Sequence, residues 1–215
     1  VCSRNTNNVV LYDGTSGAFV GAFVTTGSGG LTSPFGLSFG PNGNLYVTSG
    51  GNQVLEYDGS SGAFIRVFVS AANNGGLSTA RGMLFKPDGN LLVAGYITDA
   101  LLQYNGSTGA FLGKWNSGGT TSALYLDGPW GLRLGPTGNV FASRDLPASE
   151  LGGHDHDHDN VDALHVTSAR IMEFDIRNGK YVRSYVVDDT GLRSTTGFAF
   201  MPNVFSIDCN VNLIQ

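Results

Sequence analysis

The chain has 215 residues, of which only 13% are charged, and its formal net charge is −5. Nucleic-acid binding needs Lys and Arg clustered against phosphates, and the 12 such residues here are spread along the sequence, which argues against that function. The apolar runs fall far short of the roughly 20 residues that a membrane-spanning helix needs, so we expect no membrane span.

An eight-residue pattern recurs along the chain. An aromatic residue is followed by Asp or Asn and by Gly, and the pattern ends with a second Gly, a small or polar residue and another aromatic. Copies lie at 12–19, 57–64 and 104–111, and a more divergent copy lies at 174–181. A period in the middle forties with a tight turn between apolar runs is typical of β-propeller blades. A single blade cannot bury its own sheet face, so the repeat predicts one domain over residues 1–215.

The predicted strands are short and show no helical periodicity. In the first unit, residues 1–3 align with 46–48 of the next copy and are predicted as a second strand. The third and fourth strands follow at 9–12 and 18–24. The second unit is complete, with strands predicted at 35–39, 44–48, 54–57 and 63–69.

Two complete units and part of another follow. The third unit has strands at 82–85, 91–94, 101–104 and 110–115, and the fourth at 130–134, 140–143, 170–174 and 181–187. One more first strand lies at 197–201. These sixteen strands predict four blades of four antiparallel strands, closed by pairing of 197–201 with 1–3. Residues 204–207 are a seventeenth strand, which either extends that blade or pairs with another molecule.

Residues 35–64 resemble the NHL-type β-propeller repeat. They carry the motif Gly-Leu-x-Phe-Gly-Pro-x-Gly-Asn-Leu-Tyr-Val and then Val-Leu-x-Tyr-Asp-Gly-x-x-Gly-x-Phe. The resemblance extends over nearly the whole chain except the insertion at 146–167. It implies an all-β propeller. It leaves the function open, since such propellers include lyases, lactonase-like enzymes, binding platforms and assembly modules.

The insertion at 146–167 contains the candidate metal ligands. Imidazole and carboxylate groups bind Zn²⁺, and closely spaced Asp residues favour Ca²⁺, so a divalent cation is the candidate cofactor. A calcium-binding helix-loop-helix would need Gly and Glu where this chain has Asn160 and Val166. The alternative is a solvated loop without metal. The candidate ligands are His154, Asp155, His156, Asp157, His158 and Asp159.

The catalytic alternative has little residue-level support. The resemblance to metal-dependent lactonase-like propellers implies an ion held in the channel by Glu, Asn and Asp from several blades. Glu56 and Glu173 occupy the same third-strand position, where the other units have Leu11 and Gln103, and we interpret this as a tolerant strand face. We therefore expect a non-catalytic scaffold or interaction module. The alternative is a metal-dependent lyase or lactonase-like enzyme.

The two cysteines lie at opposite ends of the chain. Cys2 and Cys209 predict a disulfide that ties the termini together, and hence an oxidising, extracellular or cell-surface location. The alternatives are two unrelated free thiols and a disulfide between molecules. The chain starts inside a repeat, so we expect that a leader has been removed. Asn105-Gly106-Ser107 is an N-glycosylation sequon at a predicted turn, and the alternative is simple drift from Asp.

Two further expectations concern surfaces. The extra strand at 204–207 has little to protect its edge, so we expect the chain to bind copies of itself, with a filament as one outcome. The alternative is a tail that packs on its own first blade. Trp130 lies at a first-strand position where other units have Phe35 and Arg81, and we expect this variable position to line a propeller mouth.

Overall fold

The structure is a computed structural model that describes residues 1–116, 126, 128–144, 170–186, 199–201 and 204–206. Within these ranges the chain forms seventeen β-strands and two short 3-10 turns, Ser28–Gly30 and Ala71–Asn73. The prediction of an all-β fold is therefore confirmed. No helix in the described ranges is long and apolar enough to span a membrane.

The strands form antiparallel sheets in chain order. Blade 1 has three strands, β1 (Cys2–Ser3), β2 (Asn8–Tyr12) and β3 (Phe19–Val24). Blade 2 has β4 (Leu37–Phe39), β5 (Leu45–Ser49), β6 (Gln53–Tyr57) and β7 (Phe64–Val69). Blade 3 has β8 (Ala80–Phe85), β9 (Leu91–Gly95), β10 (Ala100–Tyr104) and β11 (Phe111–Lys114). Blade 4 has β12 (Pro129–Leu134), β13 (Val140–Arg144), β14 (Arg170–Phe174) and β15 (Tyr181–Val186).

The last two strands, β16 (Ala199–Met201) and β17 (Val204–Ser206), form a C-terminal hairpin. Among the described strands, β16 pairs only with β17 and not with blade 1. Ring closure by β16 and β1 therefore stays a prediction, as does the single domain over 1–215. The insertion at 146–167 lies outside the described residues.

The register of β1 differs by one residue from the alignment made on sequence. Cys2 pairs with Val9, and the corresponding pair in blade 2 is Thr48 with Val54. Residues 1–3 therefore match 47–49 and not 46–48. The sequence alignment was wrong here because Val and Thr suit strand positions equally well. Only the ladder of backbone hydrogen bonds distinguishes neighbouring registers.

The core lies between adjacent blades. The first strands of blades 2, 3 and 4 run side by side, and Gly36 and Gly82 let them approach, since a Cβ at either position would overlap the main chain of the next blade. Three apolar clusters fill the spaces between the blades. Their largest fully buried members include Tyr46, Tyr57, Tyr104, Phe174, Leu55, Leu102 and Leu132.

In blades 2 and 3, a tyrosine hydroxyl also bonds the loop that leads in from the preceding blade. The hydroxyl of Tyr57 donates to the carbonyl of Ser28 at 2.8 Å, and that of Tyr104 donates to the carbonyl of Asn74 at 2.7 Å. Burial raises the pKa of both phenols. In blades 2 and 3 the tyrosine that opens the repeat therefore acts as a latch on the loop that precedes its blade.

We expect Tyr104→Phe to lower the free energy of unfolding by about 0.5–1.5 kcal/mol, because the carbonyl of Asn74 loses its shorter hydrogen bond and keeps only that from the N–H of Leu77 at 3.3 Å. Urea denaturation monitored by fluorescence measures this change. Tyr12→Phe is the matched control, since Tyr12 is at the same repeat position but 46% exposed, and we expect a change within about 0.5 kcal/mol. Equal losses in the two variants would contradict the latch.

Candidate functional site

Blade 1 exposes a face that is better covered in the later blades, although the equivalents of Phe19 are still 40% exposed at Phe64 and 38% at Phe111. We define this open face by Leu11, Tyr12, Gly14, Gly17 and Phe19. Tyr12 is 46% exposed, whereas its equivalents in blades 2, 3 and 4 are each 0% exposed. Leu11 and Phe19 are 45% and 63% exposed. Tyr12 packs against Phe19 edge to face, with ring centroids 5.8 Å apart, so the two rings form one apolar surface.

A comparison of Gly17 with its equivalent in blade 2, Gly62, shows which contact the open face lacks among the described residues. In blade 2, a Cβ at Gly62 would overlap the carbonyl of Phe23 on the preceding blade. Among the described residues nothing lies within 4 Å of a Cβ built at Gly17, although its φ is +70° as at Gly62. The backbone of the blade 1 turn is thus already shaped for a neighbouring strand.

The turn itself is held by its own side chain. The Oδ1 of Asp13 accepts hydrogen bonds from the main-chain N–H groups of Thr15 and Ser16, at 3.1 and 2.7 Å. These bonds lower the pKa of Asp13, led by the hydroxyl of Ser16. These bonds fix the shape of the turn at the edge of the open face.

Blade 2 contains a buried carboxylate, that of Glu56, at a position that the sequence suggested was a tolerant strand face. Glu56 is 2% exposed, and its Oε1 accepts hydrogen bonds from Tyr46 at 2.8 Å, Asn44 at 2.8 Å and Asn42 at 3.0 Å. Its Oε2 pairs with Arg66 at 2.6 Å. Burial opposes ionisation, but these donors outweigh it, so the pKa of Glu56 lies below its usual value. The same burial raises the pKa of Tyr46 to about 12.

Blade 4 repeats this arrangement. Glu173 is 1% exposed and accepts hydrogen bonds from Asn139 at 2.8 Å, Tyr185 at 3.0 Å and Arg183 at 2.8 Å. Burial opposes ionisation here too, but these bonds lower the pKa of Glu173. The interpretation of this position as a tolerant strand face was therefore wrong.

A signal in the sequence could have identified these networks. The third-strand residue at the position of Glu56 pairs, in every blade, with the residue ten positions later on the fourth strand. In blades 2 and 4 that partner is Arg, and in blades 1 and 3 it is Gly. Glutamate at the third-strand position and arginine at the fourth-strand position therefore occur together or not at all. The pairs are Leu11–Gly21, Glu56–Arg66, Gln103–Gly113 and Glu173–Arg183.

The mouth residues expected from the sequence do meet. The guanidinium of Arg81 lies 3.6 Å from the ring centroid of Phe35 and 4.3 Å from that of Trp130. Arg4 lies 4.4 Å above the same Phe35 ring. A cavity of about 200 Å³ opens beside them, lined by Arg4, Ser33, Phe35, Thr79 and Arg81. Trp130 is not among the residues that line this cavity, so its place at a propeller mouth stays a prediction.

The other residues predicted from the sequence fare differently. Cys2 lies half-buried in β1 and has no disulfide partner among the described residues, and burial raises the pKa of its thiol to about 11. Cys209 lies outside the described residues, so the disulfide stays a prediction. Asn105 lies in an exposed turn, where its Oδ1 accepts from the N–H groups of Ser107 and Thr108 at 3.0 and 2.9 Å. Its glycosylation is untested.

The candidate metal ligands, His154, Asp155, His156, Asp157, His158 and Asp159, all lie outside the described residues, so metal binding by Zn²⁺ or Ca²⁺ stays a prediction. Within the described ranges no three His, Cys, Asp or Glu side chains are grouped as metal ligands. The described residues thus include the open face of blade 1, two buried carboxylates and a cluster of stacked arginine and aromatic side chains.

No protein-family model and no curated protein matches the chain. Its fold is similar to those of solved β-propellers. Hydrazine synthase from Kuenenia stuttgartiensis superposes with a TM-score of 0.54 at 16% identity, over 86% of this chain and 44% of that one. A catalytically inactive virginiamycin B lyase from Staphylococcus aureus with quinupristin gives a TM-score of 0.56 at 14% identity, over 91% and 53% of the two chains.

The computationally designed protein Ika8 gives a TM-score of 0.51 at 13% identity, over 92% of this chain and 48% of the designed one. At such identities the similarity shows the fold alone. This chain spans about half the length of the solved structures it matches. The fold is therefore that of a β-propeller, and the function has to be argued from the chain's own residues.

Proposed function

We propose that this chain is a non-catalytic interaction propeller of the NHL-repeat type, which serves as an extracellular scaffold by binding another protein through the open face of blade 1. The observation that carries the proposal is the exposure of Tyr12, whose equivalents Tyr57 and Tyr104 are completely buried by a neighbouring blade. The aromatic residue at this repeat position is buried in blades 2, 3 and 4 and exposed in blade 1.

The chemistry of the open face supports a protein partner. Leu11, Tyr12 and Phe19 are large apolar or aromatic side chains on one surface, and burying each fully would contribute about 1.5–3 kcal/mol. Aromatic residues are enriched in the cores of protein interfaces. The two glycines beside them admit a main chain at close range, which favours a strand over a small ligand.

The internal carboxylates also favour this function over an enzyme. A metal-dependent lyase or lactonase-like enzyme would need acidic groups directed toward substrate at one place. Glu56 and Glu173 each bond an arginine and several neutral donors inside their own blades. Both are therefore engaged in holding strands together.

An extracellular location is part of the proposal. It is supported by the low charge content and by the Asn105 sequon in an exposed turn. The prediction of a Cys2–Cys209 disulfide would fit the same compartment. Intact mass before and after reduction tests this point, since a disulfide gains two hydrogens on reduction.

The test of non-catalytic function is a turnover assay. The purified chain is incubated with a panel of lactones and esters, with and without Zn²⁺, Mg²⁺ and Ca²⁺. We expect product formation at the rate of buffer alone in every condition. Turnover that is lost with a chelator, and regained on adding one metal, would overturn the proposal and establish the enzyme alternative.

A further inference from the structure

We propose that the partner on the open face is a second copy of this chain, which docks with the outer strand of its blade 4, β15. The inference rests on the proposed function and names its partner. The contact would run head to tail, with blade 1 of one copy against blade 4 of the other.

The first argument is continuity with the interface already present within the chain. Three times, a turn glycine lies against a main-chain carbonyl on the outer strand of the preceding blade. The pairs are Gly62 with Phe23, Gly109 with Phe68, and Gly179 with Trp115. Gly17 has the same sequence context and the same positive φ. Its surface therefore fits the outer strand of another blade of this type.

The second argument identifies which blade. Arg66 of blade 2 pairs with Glu56 through Nε, and its Nη2 donates to the carbonyl of Ser107 in the turn of blade 3 at 2.8 Å. This arginine thus joins two blades as well as two strands. Blades 1 and 3 have glycine at the corresponding position, so they cannot make the bond.

Blade 4 has the arginine again. Arg183 pairs with Glu173 through Nε at 2.8 Å, and its side chain is 59% exposed. Among the described residues, no carbonyl accepts from its Nη2 as that of Ser107 does from Arg66. The residue that corresponds to Ser107 in blade 1 is Thr15. We therefore place the Nη2 of Arg183 against the carbonyl of Thr15 in the second copy.

The third argument concerns why a second copy is needed. The described residues of a single chain leave Tyr12 and Gly17 uncovered, and β16 pairs with β17 instead of β1. A head-to-tail contact that repeats twice closes into a ring.

The test is the molar mass of the full chain in solution, measured by light scattering after gel filtration. We expect twice the monomer mass of 22.6 kDa for the wild type. Tyr12→Asp should return the mass to that of the monomer, because it places a charge in the apolar contact. Leu112→Asp is the matched control, since Leu112 is 52% exposed on β11 outside the open face, and it should leave the dimer intact.

A second pair of variants tests the arginine. Arg183→Lys keeps a positive charge beside Glu173 but removes the fork, and we expect dimer dissociation to become roughly fivefold to tenfold easier. Arg66→Lys makes the same change at an interface inside the chain and should leave the dissociation constant unchanged. Equal effects of the two variants on dissociation would count against the docking of blade 4.

Orientation is tested by capture. A tagged Tyr12→Asp chain still has an intact blade 4, so it should retain untagged wild type if the contact is head to tail. Failure of capture while the wild type dimerises would mean that two open faces pair with each other, which overturns the proposal. Larger assemblies that Tyr12→Asp dissolves would support the same contact in a non-closing form.

A wild-type chain that is monomeric at all concentrations would overturn the second-copy partner. It would leave the proposed function untouched, since an interaction module can bind a different protein. The proposed function itself fails only through metal-dependent turnover, so the two outcomes are distinguishable.

Discussion

Gly62→Ala is expected to lower the free energy of unfolding by about 3–4 kcal/mol, one of the largest effects that a single methyl group can have in this chain. The φ of Gly62 is +71°, where an L-residue costs about 1–2 kcal/mol. In addition, the new Cβ would overlap the carbonyl of Phe23, and overpacking of this kind costs about 1–3 kcal/mol more. Urea denaturation at constant m-value measures the change.

Gly17→Ala separates the two contributions. Its φ is +70°, but among the described residues nothing lies within 4 Å of its Cβ, so only the backbone strain of about 1–2 kcal/mol applies to the monomer. If a second copy covers this position, the same variant should also weaken dimerisation. Equal losses at Gly62 and Gly17, measured on monomeric protein, would show that contact with the preceding blade does not matter.

Glu56→Gln is expected to lower the free energy of unfolding by about 2–3 kcal/mol at pH 7, because the neutral amide replaces a carboxylate that accepts from four donors. The folded pKa of Glu56 is lower than the unfolded one, so its contribution is complete above the unfolded pKa of about 4.3. It is lost as the pH falls through the folded pKa. The difference between wild type and variant should therefore shrink below about pH 4.

Denaturation at pH 7 and at successively lower pH values checks this sign. Gln103→Glu is the reverse control, since it places a carboxylate at the same position, where the cross-strand partner is Gly113 and not an arginine. It should destabilise blade 3 at pH 7 and become less harmful on acidification. A Glu56→Gln penalty that stays constant with pH would mean that the charge of Glu56 contributes nothing to stability.

The buried Glu–Arg networks distinguish blades 2 and 4 from blades 1 and 3. Blades 2 and 4 carry Glu and Arg, and the arginine of blade 2 reaches into blade 3. The interface between blades 2 and 3 thus has a charged hydrogen bond that the interface between blades 1 and 2 lacks, because Gly21 stands in place of arginine. In the proposed dimer the arginine of blade 4 would make the corresponding bond to the next copy. The alternation would then continue around a closed ring.

Much of the fold could be predicted from the sequence because it is repetitive and local. The pattern from Tyr57 to Phe64 contains the turn chemistry that reverses the chain, and apolar residues on either side alternate with the period of a strand. All predicted strands are present, with ends that differ by two residues or fewer. Turn type and strand period depend on neighbouring residues alone, so a single copy of the repeat is enough to reveal them.

The roles of particular residues were decided by tertiary structure. Tyr12 and Tyr57 have almost the same sequence around them, yet Tyr12 is exposed and Tyr57 is fully buried, because, among the described residues, only Tyr57 has another blade packed against it. The sequence suggested that Glu56 lies on a tolerant strand face. In the structure it is buried, and its hydrogen-bond donors come from the turn before β5, from β5 and from β7. Burial and partnership depend on which strands lie side by side in space. The repeated sequence determines the strands and turns of each blade, but the arrangement of the neighbouring blades determines which of its faces are buried and which are exposed.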